Sequence, residues 1–130
     1  MKVFLGGTCA NSTWRNNLIP LLQIDYFNPV VKDWTPECQW EEVKQRQECD
    51  FVLYVITPEM EGVYSIAEVV EDSIKRPSKT IFCFIDGNGF NLFTNGARKS
   101  LEAVGRMVVR NGGTWLATLA DVANYVNSVR

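Results

Sequence analysis

Six consecutive apolar residues, Phe51-Val-Leu-Tyr-Val-Ile56, constrain this chain most. A strand with one wet face alternates apolar and polar residues. A strand with no polar position is covered on both faces, as in a parallel sheet flanked by helices. Further strand-length runs fall at residues 2–6, 24–27, 80–85 and 114–117. Helical patterns fill the gaps, at 13–22, 35–49, 63–75, 97–109 and 119–129. Strand–helix alternation predicts an α/β fold. The expected architecture is a flavodoxin-like/Rossmann-like three-layer sandwich, a five-stranded parallel sheet in the order 2-1-3-4-5, in one domain over residues 1–130. Its cleft would lie between strands one and three. Local signals agree. Ser12 or Thr13 is a cap candidate, Thr35-Pro36 is a helix start, and Pro20 bends or ends the first helix. Asn111-Gly112-Gly113 stops the fourth.

Composition narrows the chemistry. The chain has no histidine, which removes Ser-His and Cys-His nucleophile pairs and Cys/His zinc sites. Acid–base or nucleophilic work falls to Asp, Glu, Tyr, Lys or Cys. Neither a metal nor a cofactor is expected. A net charge of −2 gives no basic surplus, so nucleic acid is not an expected partner. No apolar run approaches membrane-spanning length, so no membrane partner is expected either. The start of the chain reads as a strand, without a signal-peptide layout. Four cysteines without a C-x-x-C pair fit reduced thiols in a cytoplasmic protein.

The segment after the central strand, Thr57 to Glu68, leaves the carboxyl end of that strand, passes a Pro and a Gly, and enters a helix. Ligands of open α/β sheets bind at that edge. The first strand reaches the same edge with Gly6-Gly7-Thr8, followed by Asn11 and Ser12. Glycines there let backbone N–H groups approach a sugar or phosphate. The pattern is neither a dinucleotide fingerprint nor a P-loop. In the helix after the central strand, Val63, Ile66, Ala67, Val70 and Ile74 form one stripe, expected to face the core. Glu68 lies roughly 140° from its middle, which makes it a solvated residue or one facing a cleft. In the helix before that strand, Trp40, Val43 and Gln47 form the expected inward stripe. Glu41 and Glu42 read as surface charges, with Glu42 able to pair with Arg46. Asp33-Trp34 offers an aromatic either for stacking on a base or for plugging the core edge.

Lys2-Val-Phe-Leu-Gly-Gly-Thr8, Asn28-Pro-Val-Val-Lys-Asp-Trp34, Glu48-Cys-Asp-Phe-Val-Leu-Tyr-Val-Ile56 and Gly62-Val-Tyr-Ser-Ile-Ala-Glu68 together resemble the nucleoside 2-deoxyribosyltransferase-like family, in its small bacterial and phage branch. The resemblance covers roughly residues 1–85. It implies a deoxynucleoside or deoxynucleotide substrate, with Glu68 as the nucleophile that forms a deoxyribosyl ester. It places the proton donor at Glu42, where relatives carry Asp. Gly6, Gly7 and Thr8 would contact sugar or phosphate, and the resemblance implies a homo-oligomer whose pockets are completed by a neighbouring subunit. Two positions depart from the family pattern. Phe4 stands where relatives have a Tyr that steadies the nucleophile, and Gly62 stands where they have Asp or Ser; Tyr64 and Ser65 are candidate substitutes. A nucleotide or nucleotide-sugar binding module without turnover is the alternative.

Overall fold

The computed structural model describes residues 1–129. Its strands are β1 (Lys2–Gly7), β2 (Asp25–Phe27), β3 (Phe51–Ile56), β4 (Thr80–Phe84) and β5 (Thr114–Trp115). Its helices are α1 (Trp14–Leu18), α2 (Pro36–Glu48), α3 (Tyr64–Lys75), α4 (Asn95–Arg110) and α5 (Leu119–Ser128). All strand pairs are parallel, in the expected order β2-β1-β3-β4-β5. β3 lies at the centre and is buried along its whole length, as its unbroken apolar sequence requires.

Alternation along β1 and β3 divides two cores. Val3, Leu5, Leu53 and Val55 face Trp14 and Leu18 of α1 and Val122, Ala123 and Val126 of α5. Phe4, Val52, Tyr54 and Ile56 face the other side, with Val69 of α3 and Leu101 and Val108 of α4. Thr35, Thr94 and Thr118 cap α2, α4 and α5, each accepting a hydrogen bond from a backbone N–H three residues on. At the end of α4, Gly112 takes φ 101°, and the Gly113 N–H donates to the Val108 carbonyl at 2.9 Å.

Three expectations are corrected. The first helix is shorter than 13–22: it stops at Leu18, and Ile19–Leu21 tightens into a 3₁₀ turn around Pro20, which has no N–H for an α-helical bond. Neither Ser12 nor Thr13 caps it through a side chain; the Thr13 hydroxyl bonds the Asn88 amide oxygen at 2.7 Å instead. The third concerns the phase of two helices. The stripe of α3 is only half inward: Ile66 and Val70 pack against the core, while Val63 is 68 % and Ile74 65 % exposed. The stripe of α2 faces outward, with Trp40 77 % exposed and Val43 and Gln47 also on the surface. The faces turned inward carry Gln45 and Arg46 on α2, and Val69, Asp72 and Ser73 on α3. Hydrophobic phase misplaces α2 and the ends of the α3 stripe because charged side chains on the two helices satisfy each other inside.

Candidate active site

The centre of this side of the fold is an ion cluster. Arg46 of α2 grips Asp72 of α3 with two hydrogen bonds, Nε at 3.1 Å and Nη2 at 3.0 Å. Its Nη2 also meets Glu71 at 3.2 Å, and its Nη1 reaches Glu68 Oε2 at 3.3 Å. Asp72 is 0 % exposed, and it additionally accepts from the Tyr54 hydroxyl at 2.5 Å and from Arg76. Every Asp72 oxygen is therefore used, which is what a buried carboxylate requires. The expected Glu42–Arg46 pair is not among the ion pairs of the described residues, because Arg46 reaches across to α3.

Glu68 is consequently not a solvated residue: its side chain is 15 % exposed. Burial raises its pKa from 4.5 to about 7; Arg46 opposes the rise, while Glu42, Asp72 and Glu71 add to it. Burial also raises the Glu42 carboxyl, against the pull of Arg46 and Arg15. Glu42 and Glu68 line one cavity of about 190 Å³, together with Trp34, Gln39, Val43, Arg46 and Tyr64. Two carboxyls with raised pKa values at one cavity, only one of them ion-paired to an arginine, can divide the tasks of nucleophile and proton donor.

Tyr64 joins this cavity to a second of about 230 Å³, lined by Gly7, Thr8, Cys9, Ala10, Met60, Glu61, Gly62 and Ser65. Gly7 is required there: its φ is +117°, and a Cβ would lie 2.0 Å from the Val55 carbonyl oxygen. Thr8 is buried and ties the two strand ends together, its N–H bonding the Val55 carbonyl and its hydroxyl accepting from the Thr57 N–H, both at 2.9 Å. Gly6 is buried, and its missing Cβ makes room for the Tyr54 ring. Gly62 has no atom within 4 Å of where a Cβ would stand, so it opens the cavity wall. Asn11 and Ser12 turn the other way. The Asn11 carbonyl accepts from Asn88 Nδ2, and Ser12 lines a separate cavity of about 560 Å³ with Thr57, Glu59 and Asn88. Asp33 is exposed, next to Trp34 at the cavity rim.

Four residues were missed by sequence reasoning: Arg46, Asp72, Tyr54 and Arg15. The signals were present. Tyr54 interrupts an otherwise hydrocarbon strand with a hydroxyl that needs a partner. Asp72 and Arg76 stand four apart on one helix, and Arg46 is the basic residue facing three acids of α3. Arg15 is buried below the β1 loop, where its guanidinium donates to the carbonyls of Leu5 and Thr8. It thereby fixes the loop that carries Gly7 and Thr8.

The sequence profile of the family described as nucleoside 2-deoxyribosyltransferase like matches residues 1–88. No curated protein matches the chain. The matched span runs from β1 through β4 and includes both carboxyls and the whole ion cluster. The chain belongs to the nucleoside 2-deoxyribosyltransferase-like family.

Proposed function

We propose that this protein cleaves or transfers the N-glycosidic bond of a 2′-deoxynucleoside or deoxynucleotide, with Glu68 as nucleophile and Glu42 as proton donor. The observation that carries this reading is the shared cavity: both carboxyls line it together with Trp34 and Tyr64, and Glu68 is turned inward against Arg46. Glu68 Oε attacks the anomeric carbon. The N-glycosidic bond breaks, its electron pair leaves with the base, and the Glu42 carboxyl protonates that base. Glu42, now ionised, takes a proton from incoming water or from the N–H of a second base. The freed oxygen or nitrogen bonds the anomeric carbon, and Glu68 leaves as carboxylate. Trp34 offers a stacking face for the base. The adjoining space along Gly7, Thr8, Gly62, Tyr64 and Ser65 suits sugar or phosphate.

Residues 1–130 act as one domain in this reading, in the cytoplasm, where the four free thiols stay reduced. No helix among the described residues is long and apolar enough to cross a membrane. A second copy seated on the apolar stripe of α3 makes the protein a homo-oligomer; that stripe lines an open apolar groove of about 790 Å³. One observation favours a binding module without turnover instead. Phe4 carries no hydroxyl, its ring packing on Phe27 and Tyr54, and Gly62 offers no side chain.

The test is release of free base from deoxynucleosides and deoxynucleoside monophosphates, followed by chromatography. Glu68→Ala is expected to lose about 1,000-fold or more in kcat while staying folded. Base release persisting in Glu68→Ala overturns the nucleophile. Binding of a deoxynucleotide without any base release leaves the binding module as the function.

A further inference from the structure

We propose that Arg46 is the positioning residue of Glu68, locked in place by Asp72 and Tyr54, and that this clamp does the work of the hydroxyl missing at Phe4. The inference rests on the proposed role of Glu68 and goes beyond it. Glu68 alone has one soft torsion after another between its backbone and its carboxylate, and Arg46 is its one ion-pair partner among the described residues. Arg46 supplies the constraint. Its guanidinium is planar, and both ends of the fork are occupied: Nε and Nη2 on Asp72, with Nη1 left to face Glu68 Oε2 at 3.3 Å. Asp72 is itself held by the Tyr54 hydroxyl at 2.5 Å. Tyr54 projects from the central strand, and its ring fills the space above Gly6. Rigidity thus passes from the sheet core to the reacting carboxylate in three contacts.

The charges suit the reaction cycle. The groups facing Glu68 are Glu42 and Arg46 from α2 and Glu71 and Asp72 on its own helix, with Tyr54 and Arg76 behind Asp72 and Arg15 acting on Glu42. When Glu68 becomes an uncharged ester, Arg46 still holds two carboxylates, Glu71 and Asp72. It is therefore never left as an unpaired buried cation, which would be strongly unfavourable. Arg46 releases Glu68 to the sugar without moving.

The experiment follows the Glu68 carboxyl directly, by ¹³C NMR titration of glutamate-labelled protein, alongside base release against pH. Arg46→Met removes the cation, so the Glu68 midpoint moves up from about 7, and kcat falls on the order of 100-fold with KM little changed. Arg46→Lys keeps the charge and loses the fork. It holds the midpoint near the parent's while recovering only part of kcat. Tyr54→Phe, which keeps the ring, lowers kcat by a smaller factor and covers the case in which Arg46→Met does not fold. Arg98→Ala, whose ion pair with Asp86 lies elsewhere, changes neither readout. An unmoved Glu68 midpoint in Arg46→Met overturns the inference, as does full kcat in Arg46→Lys; where Arg46→Met does not fold, full kcat in Tyr54→Phe overturns it. A shifted midpoint in a protein that releases no base from any deoxynucleotide sinks the proposed activity and leaves the clamp standing.

Discussion

The two sides of the sheet are closed by different physics. On the α1/α5 side, Trp14, Leu18, Val122 and Val126 meet Val3, Leu5, Leu53 and Val55, apolar on apolar. Such a seam stabilises in proportion to the area it removes from water, and it is tolerant of which hydrocarbon fills it. On the other side α4 packs in the same way through Leu101 and Val108, but α2 and α3 meet through Arg46, Glu68, Glu71 and Asp72. A buried ion cluster adds little net stability over a hydrocarbon seam, yet it fixes geometry and tunes protonation. The first side is closed by hydrocarbon packing, and the second adds to its own hydrocarbon core the ion cluster that places the carboxyls.

Breaking each seam at its centre gives the largest expected effects. Asp72→Asn removes the charge that binds both Arg46 and Arg76. It is expected to cost about 3–5 kcal/mol in urea unfolding, as for other buried pairs that lose one partner. Leu18→Ala, fully buried on the opposite side, is expected to cost about 2–5 kcal/mol by the cavity it leaves. The distinguishing measurement is base release in the folded protein. Leu18→Ala keeps it, while Asp72→Asn loses it along with the Arg46 clamp. Equal activity in both would mean that the ion cluster is scaffolding only.

A smaller effect separates the two sides by pH. The folded protein holds a proton on Glu68 up to about pH 7, whereas the ordinary value is 4.5. Between those values the native state binds more protons than the unfolded chain, so this carboxyl destabilises the fold progressively as pH rises through the window. Below pH 4.5 it exerts no such effect. Glu68→Gln removes the ionisation. It is expected to stabilise the protein by about 1–2 kcal/mol at pH 8 and by nothing measurable near pH 4. Thermal melts at the two pH values check this. Equal shifts at both would show that Glu68 is not the group that titrates. No comparable pH dependence is expected from substitutions in the α1/α5 seam, which contains no carboxylate in its core.

The same contrast explains what the sequence made legible. Strand order, helix number, the Thr35-Pro36 start and the Asn111-Gly112-Gly113 stop could be read, because continuous apolar runs and these local signals agree with the tertiary outcome; the Thr94 and Thr118 caps were not. Ends shifted where local chemistry was ambiguous, as at Pro20 and at Thr13, whose hydroxyl found Asn88. The orientation of α2 was not legible, and that of α3 only in part, since Ile66 and Val70 do pack against the core while Val63 and Ile74 stand outside it. An apolar stripe marks the face that avoids water, and it does not say whether the cover is the helix's own sheet or another surface. By phase Glu42 therefore read as a surface charge and Glu68 as either a solvated or a cleft-facing residue, and the family motif gave both their roles. Their burial depends on Arg46, 22 residues from Glu68 in sequence, and on a contact between two helices that no local pattern encodes.

The exposed part of the α3 stripe then carries the last and smallest effect on the fold itself. Val63, Ile66, Ala67, Val70 and Ile74 lie on one face, with Ile74 well exposed. At Ile74 an isolated monomer has little to lose: a charged residue at an exposed helix position changes stability by about 0.5 kcal/mol or less. Ile74→Glu is therefore expected to leave the unfolding midpoint of the monomer almost unmoved. If a second copy covers the stripe, the same substitution buries a charge in an apolar interface and pushes the assembly towards monomer. Light scattering across a dilution series reads this directly. The parent is expected to be larger than one chain and Ile74→Glu to match one chain at the same concentration. A parent that is monomeric throughout would remove the second copy as the cover and leave α3 with an apolar face turned to water. Should the variant dissociate and also release base more slowly, the neighbour helps close the cavity at Tyr64, one residue after Val63 at the start of the same helix.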